Sequence, residues 1–317
     1  MSKISLYIYL LSSVVFSTTT HVTAQQDPQF SQYMFNHYLL NPAYAGSREV
    51  LCVSGVVRDQ WLNAAKSSGS ASQTQTLSIT SPTKNKNMGL GLNFMNDKIG
   101  PKTTTSVTAS YAYHLKLNKA NLSFGLKAGV LSHTVNWNLV SYQDATDPNI
   151  PKGIQKRVVP TLDFGAYYYT QLGYVSFGLT HLNSPKVYSY LPTIQNYFVP
   201  HAYLAISRSW VVTDKLILNP SVLYKNIVYK GGASTPLSID VNLNARINNA
   251  FWLGASYKHN FGMAVLFQYF VNEKMKVGYS YDLGLTGIGK YAGATHEFFM
   301  SYDFSIFNSK ITSTRFL

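Results

Sequence analysis

From Val50 to Phe304 apolar and polar residues alternate with a period of two, which places successive side chains on opposite faces of extended backbone. In residues 237–247, Leu237, Ile239, Val241, Leu243, Ala245 and Ile247 alternate with Ser238, Asp240, Asn242, Asn244 and Arg246. The pattern recurs in 107–116, 275–283 and 294–304, where Phe298, Met300, Tyr302 and Phe304 oppose Thr295, Glu297, Ser301 and Asp303. Strands with one apolar and one wet face do not suit a parallel sheet covered on both sides. The alternation predicts about fourteen strands, near 50–61, 73–80, 88–97, 105–117, 121–131, 159–169, 173–182, 198–212, 215–228, 236–247, 250–259, 261–271, 275–284 and 294–304.

Most of these strands are nine to thirteen residues long. A globular strand has about five or six, whereas roughly 9 to 11 cross a bilayer obliquely. The expected fold is therefore all-β, a transmembrane antiparallel up-and-down β-barrel. Tight turns at 118–120, 171–172, 214, 248–249 and 272–274 alternate with longer links at 132–158, 183–197, 229–235 and 285–293, as periplasmic turns alternate with extracellular loops in such barrels. The tight 259–260 connection and the 81–87 link break that rule. Asp163, Lys225, Asp240, Arg246, Lys276, Asp282, Glu297 and Asp303 lie opposite the apolar stripes and are expected to face the lumen. Trp61, Tyr167 to Tyr169, Trp210, Phe251, Trp252 and Tyr302 stand near strand ends, where interface girdles belong. A soluble β-sandwich is the rival fold, and it calls for more surface charge than this chain carries.

Two segments precede the strands. Lys3, the apolar stretch Ile4 to Phe16 and the closing Val22-Thr23-Ala24 read as a signal peptide over 1–24, with the mature chain starting at Gln25 and the cell outer membrane as destination. The second segment, 25–48, reads QQDPQFSQYMFNHYLLNPAYAG and then Ser47 and Arg48. Asp27 and Pro28 form a helix start, Phe30, Tyr33, Met34 and Tyr38 recur at helical spacing, and Asn41-Pro42 stops the run. This predicts a short amphipathic helix before the barrel (49–304), serving as a lumen plug, a periplasmic docking piece or a lid on the mouth. Asn41, Pro42 and Gly46 are expected to set the turn into the first strand.

Composition narrows the function. Only 12% of residues are charged while 46% are hydrophobic, and the net charge is +13. The lysines are spread through loops rather than gathered with arginines, so no nucleic acid is expected as partner. The lone Cys52 forms no internal disulfide and reads as a buried thiol. His37, His114, His133, His181, His201, His259 and His296 fall one per element with no metal-ligand spacing, and there is no G-x-S-x-G elbow or phosphate loop. The expectation is a binding protein, with no catalytic activity, no metal and no cofactor.

QQDPQFSQYMFNHYLLNPAYAGS resembles the N-terminal signature of the PorP/SprF family of Bacteroidetes outer-membrane proteins, and Gly293 to Glu297 with Ser301 to Phe304 is similar to its closing motif. On that resemblance Asp27, Pro28, Phe30, Gln32, Tyr33, Asn41, Pro42 and Gly46 are the family-motif positions. The resemblance implies a component of the type IX secretion system that serves secretion or surface attachment of an adhesin-like substrate carrying a C-terminal sorting domain, linked in gliding bacteria to motility. It also implies periplasmic type IX components as partners, besides the lipid bilayer. The alternative is a channel or transporter for small or hydrophobic solutes. One departure is that the chain continues past Phe304 as a tail, 305–317, ending in Leu.

Overall fold

Long half-apolar strands need a partner on both edges, and in the computed structural model they find it by closing on themselves. The structure describes residues 27–63, 72–142, 150–187, 197–228, 238–286 and 288–307. The signal-peptide reading, the mature N-terminus and residues 308–317 of the tail lie outside them.

The strands are β1 (Leu51–Gln60), β2 (Ser72–Pro82), β3 (Met88–Ile99), β4 (Lys102–Lys116) and β5 (Asn121–Asn136). They continue as β6 (Ile154–Tyr169), β7 (Gly173–Thr180), β8 (His201–Arg208), β9 (Trp210–Thr213) and β10 (Leu216–Ile227). The last five are β11 (Ser238–Ile247), β12 (Phe251–Lys258), β13 (Gly262–Phe270), β14 (Met275–Gly284) and β15 (Thr295–Phe304). Each pairs antiparallel with its neighbour, and β15 pairs with β1, from Leu51 opposite Phe304 to Asp59 opposite His296. Thr295–Phe304 is thus the closing strand. β8 and β9 both run along β10, one beside Ser221–Ile227 and the other beside Leu216–Leu218, so the result is a closed 14-strand barrel with one extra strand. Closure excludes the sandwich and, among the described residues, leaves no free edge other than that of the short β9, which pairs with β10 alone.

The alternation sorts side chains as read. Leu90, Leu92, Val107, Leu126, Leu243, Val265, Phe298 and Met300 are exposed on the outer surface, while Thr108, Ser110, Asn242, Asn244, Ser280, Glu297 and Ser301 are buried inside. β4, β5 and β6 are 15, 16 and 16 residues long, so this side of the barrel stands taller than the rest. Links of two to five residues (83–87, 117–120, 170–172, 214–215, 248–250, 271–274) share one end, here the short-turn rim. The opposite end, the long-loop rim, carries 61–71, 137–153, 181–200, 228–237 and 285–294, with tight exceptions at 100–101 and 259–261. The 285–294 link holds a short helix, Ile288–Ala292.

Two expectations need correction. Residues 33–44 form no α-helix but three 3-10 turns, Tyr33–Phe35, His37–Leu39 and Pro42–Tyr44. Asn36, at φ −141° and ψ 68°, interrupts the run, and Asn41-Pro42 starts the third turn rather than merely stopping a helix. Helical spacing stabilises a helix that presents one stripe to a core, whereas this segment is buried on several sides and its backbone follows the surrounding wall. Of the girdle residues, Tyr167, Tyr169 and Trp252 are buried inside, because alternation sends only Tyr168 of the Tyr triplet outward. Trp210 and Tyr302 do lie on the outer surface.

Candidate functional site

The interior is where chemistry-bearing side chains converge. Residues 27–48 run through it from the long-loop half to the short-turn rim, and polar wall residues hold them at successive heights.

At the top, Asp27 sits 2.8 Å from His181 Nε2, which follows β7, and accepts hydrogen bonds from Thr180 (2.9 Å) and the Tyr203 hydroxyl (3.1 Å). Burial pushes the Asp27 carboxyl up, but the charges of His181 and His201 outweigh it and hold the carboxyl well below its ordinary value. Burial likewise pushes His181 down, and Asp27 more than reverses this, so His181 titrates above its ordinary 6.5. The sign follows: the clamp is fully formed below about pH 6.5 and weakens as pH rises through the raised His181 value. At the acid end it is lost only below the lowered Asp27 value. Hydrogen exchange of residues 27–32 should therefore quicken, beyond the intrinsic pH dependence, as pH rises above about 6.5 and through the raised His181 value. Asp27→Asn should remove that excess; an unchanged excess in the variant would rule the clamp out.

A second group lies across the barrel. Glu297 accepts the backbone N–H groups of Ser31 (2.9 Å) and Gln32 (2.8 Å) on its two oxygens and pairs with Arg58 at 2.7 Å. Arg58 also pairs with Asp282 at 2.9 Å, and Lys258 reaches the same carboxylate at 2.8 Å. The Ser31 hydroxyl donates to Asp282 and accepts from Arg58 and Lys258. The group is charge-balanced and fully enclosed, which is the condition under which buried ions are tolerated. Beside it Lys225 pairs with Asp240 at 2.7 Å and donates to Gln29, and the Tyr33 hydroxyl accepts from Asn242 at 2.9 Å.

Midway, His37 lies edge-on to Tyr174 at 4.4 Å and near Tyr44 and Tyr167. Burial lowers its pKa to about 3, so it is neutral in the fold. Tyr38 meets Ser110 at 2.9 Å. Asn41 donates to the Ala166 carbonyl and to Ser176 and accepts from Ala43 N–H, capping the third turn. Arg48 binds Asp303 and the buried Cys52 at the short-turn rim, where Lys276 stands 3.6 Å from Asp303.

The wall is also shaped for this segment. A Cβ built on Gly89 would lie 1.8 Å from the Ala45 carbonyl, on Gly165 1.9 Å from Asn41 Oδ1, on Gly178 2.1 Å from the Leu40 carbonyl and on Gly125 2.4 Å from Ala43 N. These strand glycines admit close backbone approach. Gly46, at φ +75°, turns the chain against Pro82 and Gly89 towards β1.

All eight inward-charge candidates face the interior. Asp163 pairs with Lys127 at 2.9 Å, and the Arg246 guanidinium lies over the Phe270 ring at 5.1 Å. Of the motif residues, Phe30 and Tyr33 join the buried core, Gln32 donates to the Glu297 carbonyl, and Pro28 lines a cavity of about 80 Å³ between the segment and the β3–β8 wall. Ser31, Arg58, Lys127, Lys258, Gly125, Gly165 and Gly178 were not singled out from sequence; there His181 reads only as one of the scattered histidines, and Gly89 as a strand glycine marking close packing or a bulge. Their signal was the polar phase of each strand, which places Arg58 with Ser54 and Lys127 with Ser123.

A closed barrel with an apolar outer surface and a charge-balanced interior is a transmembrane β-barrel. The family model for the type IX secretion system membrane protein PorP/SprF matches residues 22–302, and the chain belongs to that family, as a barrel of the outer membrane. No curated protein sequence matches it. Among solved structures it is similar to a Pseudomonas aeruginosa FadL homologue (12% identity, 88% of this chain and 95% of that one, TM-score 0.46). It is also similar to the Ralstonia pickettii toluene transporter TbuX (13%, 86% and 93%, 0.46) and Acinetobacter baumannii Omp33 (8%, 81% and 98%, 0.44).

Proposed function

We propose that this type IX barrel is a closed scaffold rather than a solute channel, its lumen plugged by residues 27–48, and that it serves secretion or surface attachment of an adhesin-like substrate bearing a C-terminal sorting domain. Family membership supports the secretion role. The single observation that carries closure is the anchoring of Ser31 and Gln32 by Glu297, itself locked to Arg58. With the interior taken, substrate contact falls to the rims, first to the links around 143–157 and 183–198, of which 143–149 and 188–196 lie outside the described residues. In a gliding organism the substrate would be a motility adhesin, and periplasmic type IX components would meet the short-turn rim.

Deleting residues 141–152, between β5 and β6, should abolish surface display of the cognate substrate while leaving the barrel at normal abundance in the outer membrane. Undiminished display would remove this link from the substrate-binding surface. Co-purification of the full-length barrel with a sorting domain, against a steady flux of small solutes through it, separates the scaffold reading from the transporter one.

A further inference from the structure

We infer that the outward face of β3–β6 at the long-loop rim is a binding site for a phosphate-bearing lipid headgroup. Pairing register builds it in three transverse rows. Phe94, Val107 and Val130 stand side by side across β3, β4 and β5. One step nearer the rim come Asn96, Thr105 and Ser132, with Thr105 donating to Asn96 at 2.8 Å. One step further, Lys98 is opposite Thr103, Thr103 opposite Thr134, and Thr134 opposite Lys156. Strand alternation puts all three rows on the outer surface, the same face as the exposed Leu92 and Val158.

The order of the rows is the order of a lipid: an apolar row for acyl chain, a hydroxyl and amide row for the linker, then two ammonium groups flanking two hydroxyls. Adjacent strands are about 4.8 Å apart, so the two lysine backbones stand roughly 14 Å apart and their stems can lean over one headgroup. Lys98 and Lys156 are exposed, and among the described residues neither they nor Thr103 and Thr134 make a side-chain hydrogen bond or ion pair. The nearest carboxylate in this row, Asp59, lies two strands away and is engaged by Gln73 at 2.7 Å. Charge balance points the same way. Inside the barrel Arg48, Arg58, Lys127, Lys225, Arg246, Lys258 and Lys276 are matched in number by Asp27, Asp97, Asp163, Asp240, Asp282, Glu297 and Asp303, so the net +10 of the described residues (21 Lys and Arg against 11 Asp and Glu) has to reside on surfaces such as this one. A lipid is favoured over an acidic protein because the cations sit on the strands, separated from the apolar row by the single hydroxyl and amide row, and not at a loop tip.

The test is native mass spectrometry of the full chain in neutral detergent, titrated with phosphatidylglycerol, with diacylglycerol and inorganic phosphate as separate probes. Phosphatidylglycerol should bind more tightly than either. Lys98→Gln with Lys156→Gln should weaken it about thirtyfold, the effect of two lysines at a phosphate surface, while Lys116→Gln with Lys119→Gln at the short-turn rim should leave it within about twofold. Thr103→Val with Thr134→Val should weaken it severalfold without changing charge. Equal affinity of wild type and the Lys98/Lys156 variant would overturn the site. So would phosphatidylglycerol binding no tighter than diacylglycerol, or full competition by inorganic phosphate. Capture of an acidic protein with lipid affinity unchanged by the variant would also overturn it. No substrate enters the assay, so its failure is distinct from failure of the secretion role.

Discussion

Glu297→Ala is expected to loosen the whole top of the interior. The substitution leaves the buried cations Arg58 and Lys258 with Asp282 as their one shared carboxylate, so that one buried positive charge is uncompensated, and it leaves the Ser31 and Gln32 N–H groups without their acceptor. Breaking one partner out of a buried ion pair costs about 3–5 kcal/mol, and orphaned amides add to that. Urea unfolding in detergent should show the loss, and hydrogen exchange of residues 27–32 should rise with it. Glu297→Gln keeps one acceptor and the side-chain volume, so it should lose less. If Ala and Gln variants were both as stable as wild type, the anchoring role of Glu297 would be wrong. Because Asp282 still engages Arg58 and Lys258, the strands themselves should stay paired.

The second large effect comes from adding a side chain to the wall rather than removing one. In Gly165→Leu even the Cβ lies 1.9 Å from Asn41 Oδ1, with Pro42 next to it, so segment and wall cannot keep their present approach. Overpacking of this kind costs about 1–3 kcal/mol, and it also breaks the bonds from Asn41 to Ala166 and Ser176. Exchange of residues 37–46 should accelerate on the order of 100-fold, the equivalent of about 2.7 kcal/mol. The barrel should still assemble, since β-ladder bonds do not require glycine. Gly55→Leu is the matched control: its Cβ finds nothing closer than 3.5 Å. Equal exchange in the two variants would show that the glycine cradle does not hold the segment.

The barrel was legible because alternation is local. Each strand states its own lipid-facing and lumen-facing sets, and the phase that put Asp240 and Arg246 opposite Val241 and Leu243 needed no knowledge of the rest of the chain. The same rule, applied strictly, separates Tyr168 from Tyr167 and Tyr169; treating the triplet as one girdle set it aside. The interior contacts were less legible, because they join residues far apart in sequence: Ser31 with Glu297, Arg58 with Glu297, Asp27 with His181. No periodicity encodes such pairs. The 30–38 aromatics misled for a physical reason, since helical spacing signals a helix only when one side is buried, and here Tyr33, Met34, His37 and Tyr38 are buried on different sides of the segment. Low overall charge with near-zero mean hydropathy follows from averaging an apolar outer set with a polar inner one.

Closure of the lumen is the claim on which the scaffold reading stands, and single-channel recording of the purified wild-type protein in a planar bilayer tests it most directly. The account predicts no steady conductance in wild type, with open events appearing in Glu297→Ala. A steady open channel in the wild-type protein would contradict it.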